Sequence, residues 1–224
     1  MTLITAHSGC DQTADNSIEF VQYALEKDID AIEVDVRKNK QGELVLAHDA
    51  TEEEVPFLAD AFEILKNYKY KKMNCDLKEA GLEESVFALA KAYGVENQLI
   101  YSGTVDLKFA TQGLETLKGV DLYLNLEILV PEIESGEDMA QDVLCKHLFR
   151  GIEEAAKLNI TCINMNYRLC ADSVVDYMAR HDVAFSAWTV NEVAEIERLT
   201  QMGALNITTR NVKGALERVS VRGE

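Results

Sequence analysis

Three features of the chain predict a (β/α)8 barrel, an α/β fold. Strand-like apolar runs alternate with amphipathic helical stretches almost from end to end, which is the pattern of parallel βαβ units. Eight strand–helix pairs can be counted, a number that suits a closed barrel better than an open sheet. Polar residues end one apolar run after another: His7, then Glu33 with Asp35, His48, and Asp76 with Lys78. A charge has no packing reason to finish an apolar strand repeatedly. It has a chemical one if those ends meet at the C-terminal mouth of a barrel, where such folds keep their sites.

The first strand, 2–7, leads into a helix near 16–28, where Ile18, Val21, Ala24 and Leu25 recur at helical spacing. Strand 31–36 follows. The turn at 39–42 is too short for a helical crossover, so 43–48 is expected as a short antiparallel hairpin strand after the second strand. Helices and strands then alternate as 58–68 and 73–78, 82–93 and 98–102, 104–117 and 121–127, and 137–158 and 161–166. They continue as 171–181 and 183–189, then 191–202 and 205–209, with a helix at 211–219 closing the chain. Only two prolines occur, and no linker or low-complexity stretch interrupts the pattern, so residues 1–224 are expected to form a single barrel domain.

Composition narrows the function. At 224 residues and 47% hydrophobic, the chain can bury a full core. A net charge of −17 disfavours nucleic acid and stable association with anionic membranes, because a polyanion meets repulsion almost everywhere. No stretch is long and apolar enough to span a bilayer, and the N-terminus enters a strand without the charged start of a signal peptide. Five cysteines are scattered without a CxxC pair, which speaks for reduced buried thiols rather than a disulfide framework or zinc site. A cytoplasmic protein is the expectation; the oligomeric state is not legible.

The candidate chemistry sits at the strand ends. Glu33 and Asp35 alternate onto one face of their strand. Carboxylates so close raise each other's pKa unless a cation lies between them, and oxygen ligands suit Mg²⁺ or Ca²⁺. The competing reading, an exposed acidic pair, is weakened by the apolar flanks Ile32, Val34 and Val36. His7 and His48 are two of only four histidines and both fall at strand ends, where they suit a general acid and base. Asp49 points the other way and is expected to orient its loop. Asp76 would complete the metal's ligands and Lys78 would hold a phosphate oxygen, although an ordinary surface pair is the alternative. Trp188 closes the seventh strand as an apolar wall or a barrel plug, and Glu127 ends the fifth as a candidate extra ligand or hydrogen-bond acceptor.

In order along the chain, His7-Ser-Gly, Asp15-Asn-Ser, Glu33-Val-Asp35, His48-Asp49, Asp76-Leu-Lys78 and Trp188-Thr-Val-Asn191 resemble the glycerophosphodiester phosphodiesterase family, within the phospholipase-C-like phosphodiesterases. The resemblance implies a barrel enzyme that hydrolyses small glycerophosphodiesters to glycerol 3-phosphate and an alcohol with one divalent cation, Mg²⁺ or Ca²⁺. It implies His7 and His48 as the acid/base pair, Glu33, Asp35 and Asp76 as metal ligands, and Lys78 as a phosphate contact; Trp188, Asn16 and Glu127 are expected beside Lys78 as further substrate contacts. The chain departs from the family pattern at Ser8, where an arginine is usual, at Asp76, where glutamate is usual, and at Thr209-Arg210-Asn211-Val212. Arg210 is a candidate replacement for the charge lost at Ser8. The segment between Asp49 and Asp76 is far shorter than the family's substrate-roofing insertion, so a more open site is expected. The alternatives are a phosphodiesterase for another head group or a lysophospholipid, and a barrel that binds a phosphoester without turnover.

Overall fold

The computed structural model describes residues 1–112, 119–133 and 139–220. Its centre is a ring of parallel strands. Strands β1 (Leu3–Ala6), β2 (Ala31–Lys38), β4 (Lys72–Leu77), β5 (Leu99–Gly103), β6 (Asp121–Leu122), β7 (Leu124–Asn125), β8 (Cys162–Asn166), β9 (Ala184–Trp188) and β10 (Asn206–Thr209) bond in the order β6-β5-β4-β2-β1-β10-β9-β8-β7. The two ends of that path are consecutive in sequence, separated by Tyr123 alone, so the ring closes on itself. The nine strands of the path, with β6 and β7 sharing one position, make eight positions. The hairpin strand β3 (Leu44–Leu46) lies off the ring and pairs antiparallel with the end of β2, Val36 opposite Leu46.

The expected strand 121–127 is shorter and divided. Asp121 and Leu122 pair with β5, Leu124 and Asn125 pair with β8, and Tyr123 N–H donates to the Tyr101 carbonyl between them (2.9 Å). At the mouth the Asn125 side chain takes over from the backbone, its Oδ1 accepting Gly103 N–H (3.3 Å) and Asn164 Nδ2–H (2.9 Å). The chain then turns into a short helix.

The helices cover the outside of the ring: α1 (Ile18–Leu25), α2 (Leu58–Leu65), α3 (Glu83–Tyr93), α4 (Leu107–Gln112), α5 (Leu126–Leu129), α6 (Gln141–Lys157), α7 (Asp172–Arg180), α8 (Val193–Gln201) and α9 (Val212–Ser220). Residues 113–117 and 137–138 of the expected helices lie outside the described residues. Local signals set the helix ends. Ser17 Oγ accepts Phe20 N–H (3.0 Å) at the start of α1, and Gly94, at φ +71°, closes α3 in the left-handed conformation that costs glycine little.

Strand alternation divides the interior into two apolar regions. Outward residues such as Ile32, Val34, Met73, Leu77, Ile163 and Phe185 pack under the helices as the main core. Inward residues Ala31, Ile100, Tyr123 and Cys162, with Ala184, form a small apolar plug inside the ring. Above the plug the lumen becomes polar: Thr5 Oγ1 donates to Asn206 Oδ1 (2.7 Å), and Asn206 Nδ2 donates to Ser186 Oγ (3.0 Å). These bonds satisfy groups that would otherwise be costly to bury. The five cysteines are free thiols, four of them buried, and burial pushes the Cys10 thiol up to about 11. No helix among the described residues is long and apolar enough to cross a membrane.

Candidate active site

Two strands supply the centre of the site because their polar residues alternate inward. Glu33 and Asp35 lie on β2, opposite Asn74 and Asp76 of β4. Glu33, Asp35 and Asp76 each place a carboxylate oxygen within 4.8 Å of the others. Glu33 and Asp35 are only 4% and 5% exposed, which rules out the reading of an ordinary surface pair. Lys78, one turn of the pleat beyond Asp76, pairs with Asp35 Oδ1 (2.8 Å) and Asp76 Oδ2 (2.5 Å). Its ammonium thus rests on the carboxylates it was expected to adjoin. Burial works against its charge, but Asp76 and Asp35 raise its pKa above the ordinary value.

One lysine cannot balance three carboxylates. The imbalance falls on Glu33: burial first, then Asp35 and Asp76, push its carboxyl well above the ordinary value, against the pull of Ser8 N–H and Lys78. Asn74 Oδ1 is buried beside this cluster without a hydrogen-bond partner among the described residues. A set of hard oxygen donors with surplus negative charge fits one divalent cation of the Mg²⁺ or Ca²⁺ type.

A short loop from β1 to α1 locks the carboxylates in place. Ser8 N–H donates to Glu33 Oε2 (3.1 Å), and Ser8 Oγ accepts Asn16 N–H (3.0 Å). Asn16 in turn donates Nδ2–H to Asp35 Oδ2 (2.7 Å) and accepts Asp35 N–H on Oδ1 (2.9 Å). It does so at φ +52°, a left-handed conformation that asparagine tolerates better than most residues. Asn16, expected at the substrate, therefore has both ends of its amide committed to Asp35. Ser8 is 1% exposed and anchors two of the three clustered carboxylates, Glu33 directly and Asp35 through Asn16. Sequence reasoning saw it only as a missing arginine; its place one residue after a strand-end histidine was the available signal.

Gly103 supports the third carboxylate by having no side chain. It sits at φ +76°, and a Cβ there would lie 2.1 Å from Asp76 Oδ1 and 2.5 Å from the Leu77 carbonyl. Gly103→Ala is expected to cost about 2–3 kcal/mol, seen as a melting temperature lower by roughly 5–10 °C. An unchanged melting temperature would contradict the tight fit of Asp76 against β5.

The histidines flank this cluster differently. His7 is partly buried; its Nδ1 faces the Ser8 carbonyl (3.2 Å) and its Nε2 lies 3.9 Å from Glu33 Oε2. Burial, and next the charge of Arg210, lower its pKa below 6.5. With Nδ1–H given to Ser8, Nε2 carries the lone pair. The His48 side chain is 67% exposed, with Nδ1 3.1 Å from Asp49 Oδ1, so Asp49 meets the ring itself instead of turning to the opposite face. Arg37 Nε–H donates to the His48 carbonyl (2.8 Å) and steadies the backbone there. Both histidines act on Asp15, whose carboxyl is held below the usual range by its hydrogen bond to Arg210 and, less strongly, by His7 and His48.

The remaining candidates are more scattered. Trp188 ends β9 opposite Asn166, half-buried, with its Nε1 buried and unpartnered among the described residues. Glu127 does not end a strand; it lies in α5, just past the mouth. Between Asp49 and β4 the described structure holds a single helix, α2, so no roof covers His48.

This geometry has relatives. The model of the glycerophosphoryl diester phosphodiesterase family matches residues 7–120, just over half of the chain. The chain belongs to this family. As a member it is a phosphoric diester hydrolase. A glycerophosphodiester phosphodiesterase of Caldanaerobacter subterraneus subsp. tengcongensis is 22% identical over 247 aligned positions, covering 93% of each chain. Among solved structures, a glycerophosphodiester phosphodiesterase from Parabacteroides distasonis superposes with a TM-score of 0.74 at 16% identity, over 100% of this chain and 98% of the other. A phosphodiesterase of Oleispira antarctica, solved with its product sn-glycerol-3-phosphate, gives 0.72 at 17% identity, over 98% and 97%. The two structures show that this family member shares their barrel fold.

Proposed function

We propose that the chain hydrolyses small glycerophosphodiesters to glycerol 3-phosphate and an alcohol, with one divalent cation and with His7 and His48 as base and acid. The observation that carries this reading is the convergence of Glu33, Asp35 and Asp76 within 4.8 Å, beside a histidine with a lowered pKa. Those three carboxylates would hold the cation, which when bound draws charge from the phosphate oxygens and orients the attacking group.

The chain's own residues divide the proton work. His7 Nε2 accepts the proton of the nucleophile as the new P–O bond forms: water gives glycerol 3-phosphate directly, whereas the substrate's free hydroxyl gives a cyclic phosphate that water then opens. Its lowered pKa keeps it neutral and ready as a base near pH 7. His48, turned by Asp49, delivers a proton to the departing alkoxide as the old P–O bond breaks. Lys78 offers its ammonium to a phosphate oxygen, and the half-buried Trp188 indole gives the ligand an apolar wall. Asn16 serves by holding Asp35, and Glu127 remains a candidate at the rim. A small soluble substrate suits the open mouth around His48 and the net charge of −17.

The test is release of glycerol 3-phosphate from a panel of glycerophosphodiesters with Mg²⁺, with Ca²⁺ and with chelator. Turnover that requires a cation is expected. Turnover at full rate in chelator, or none with either ion, would contradict the reading.

A further inference from the structure

One cation at the barrel mouth has no part in the proton steps above. Arg210 directly follows β10, which pairs with β1 so that Ala6 lies opposite Thr209, and His7 N–H donates to the Thr209 carbonyl (2.8 Å). Alternation turns Asn206 and Thr208 into the lumen and puts Arg210 on the same face, next to His7. The loop after β1 then brings Asp15 onto the guanidinium in a two-pronged pair, Nη1 to Oδ1 at 2.6 Å and Nη2 to Oδ2 at 3.0 Å. Nη1 also approaches the Gly9 carbonyl at 3.5 Å, and Asn191 Oδ1 accepts the Arg210 backbone N–H at 2.9 Å. A Cβ on Gly9 would stand 1.9 Å from Asp15 Oδ1, so the pair closes only over a glycine. Held from these sides, the side chain is still 36% exposed, and its Nε–H bonds to none of these partners.

The ring order places this cation usefully. In the sequence β4-β2-β1-β10, Lys78 follows β4 at one end and Arg210 follows β10 at the other, with Glu33, Asp35 and His7 between them. Arg210 feels the charges of Glu33 and Asp35 after that of Asp15. A phosphodiester carries a negative charge on two non-bridging oxygens, and a planar guanidinium with spare donors matches such oxygens better than a point charge does.

We propose that Arg210, oriented by Asp15, is a second cationic contact for the substrate's phosphate, facing Lys78 across the carboxylate cluster. This deepens the phosphodiesterase reading and rests on it. The rival role is mechanical: the Asp15–Arg210 pair merely pins the loop after β1 to β10. The two roles separate because Asp15→Asn and Arg210→Met both remove the ion pair, but only the second removes the cation.

The experiment is calorimetric titration of glycerol 3-phosphate into wild type, Arg210→Met and Asp15→Asn in Mg²⁺, with a Mg²⁺ titration of each protein alongside. Arg210→Met is expected to weaken glycerol 3-phosphate binding by roughly 10- to 100-fold, the scale of one charged hydrogen-bonding contact, with Mg²⁺ binding retained. Asp15→Asn is expected to stay within about fivefold of wild type, the scale of one exposed ion pair. Equal losses in both variants, an unchanged Arg210→Met, or no glycerol 3-phosphate binding by the wild type would overturn the proposal. If Arg210 binds glycerol 3-phosphate in a wild type that cleaves no glycerophosphodiester, the hydrolytic reading fails and the phosphate contact stands.

Discussion

Glu33→Gln is expected to abolish turnover, with a loss of at least about 10³-fold in kcat/KM, and at the same time to stabilise the cation-free protein near pH 7. The two effects have one cause. Glu33 is buried against Asp35 and Asp76 with Lys78 as the compensating cation, and its folded-state pKa is raised well above the ordinary 4.5. A raised carboxyl pKa means the fold prefers the protonated form. Its contribution is fully favourable below pH 4.5 and is lost as pH rises through the folded-state value. Glutamine keeps the shape without the charge, so its advantage appears only above that window and vanishes in acid. Each kcal/mol relieved raises the melting temperature by about 2–4 °C for a chain of this size. Melting curves of wild type and variant at pH 4 and pH 7 in chelator check the sign. A Glu33→Gln protein that melts lower than wild type at pH 7 would show that the carboxylates are balanced without a cation.

The second large effect belongs to the histidines. His7→Ala and His48→Ala are each expected to lower kcat by about 10²- to 10⁴-fold, the usual contribution of a positioned acid or base. The double variant should lose less than the product of the two, since groups acting in one step are not independent. Because burial and Arg210 lower the His7 pKa below 6.5, the acidic limb of the pH–rate profile should have its midpoint below 6.5 and disappear in His7→Ala. A profile that is flat on the acid side, or one unchanged in His7→Ala, would remove His7 from the role of base.

Much of this was readable in the chain because the signals are periodic or local. Alternating strands and helices gave the barrel, and the i, i+2 spacing of Glu33 with Asp35 put both carboxylates on the inner face of one strand. The hairpin after β2 followed from a turn too short to cross over. The errors came where long-range contacts decide. The run 121–127 looks like one strand, yet Asn125 completes the ladder with its side chain and the chain enters α5 at Leu126, taking Glu127 with it. Asn16 was legible as part of a motif, but its bonds to Asp35, 19 residues away, were not. Gly103 carries no sign in sequence that a methyl group there would meet Asp76 across the sheet. That the Lys78 ammonium would pair with Asp35 on the neighbouring strand as well as with Asp76 was not legible either.

In the proposed reaction, hydrolysis depends on a divalent cation bound jointly by Glu33, Asp35 and Asp76. Calorimetric titration of Mg²⁺ and Ca²⁺ into wild type and Glu33→Gln, with turnover of a glycerophosphodiester followed in the same samples, tests it most directly. One cation per chain, lost together with turnover in Glu33→Gln, is the expected result. Cation binding that survives Glu33→Gln, or turnover that continues after the cation is stripped, would contradict it.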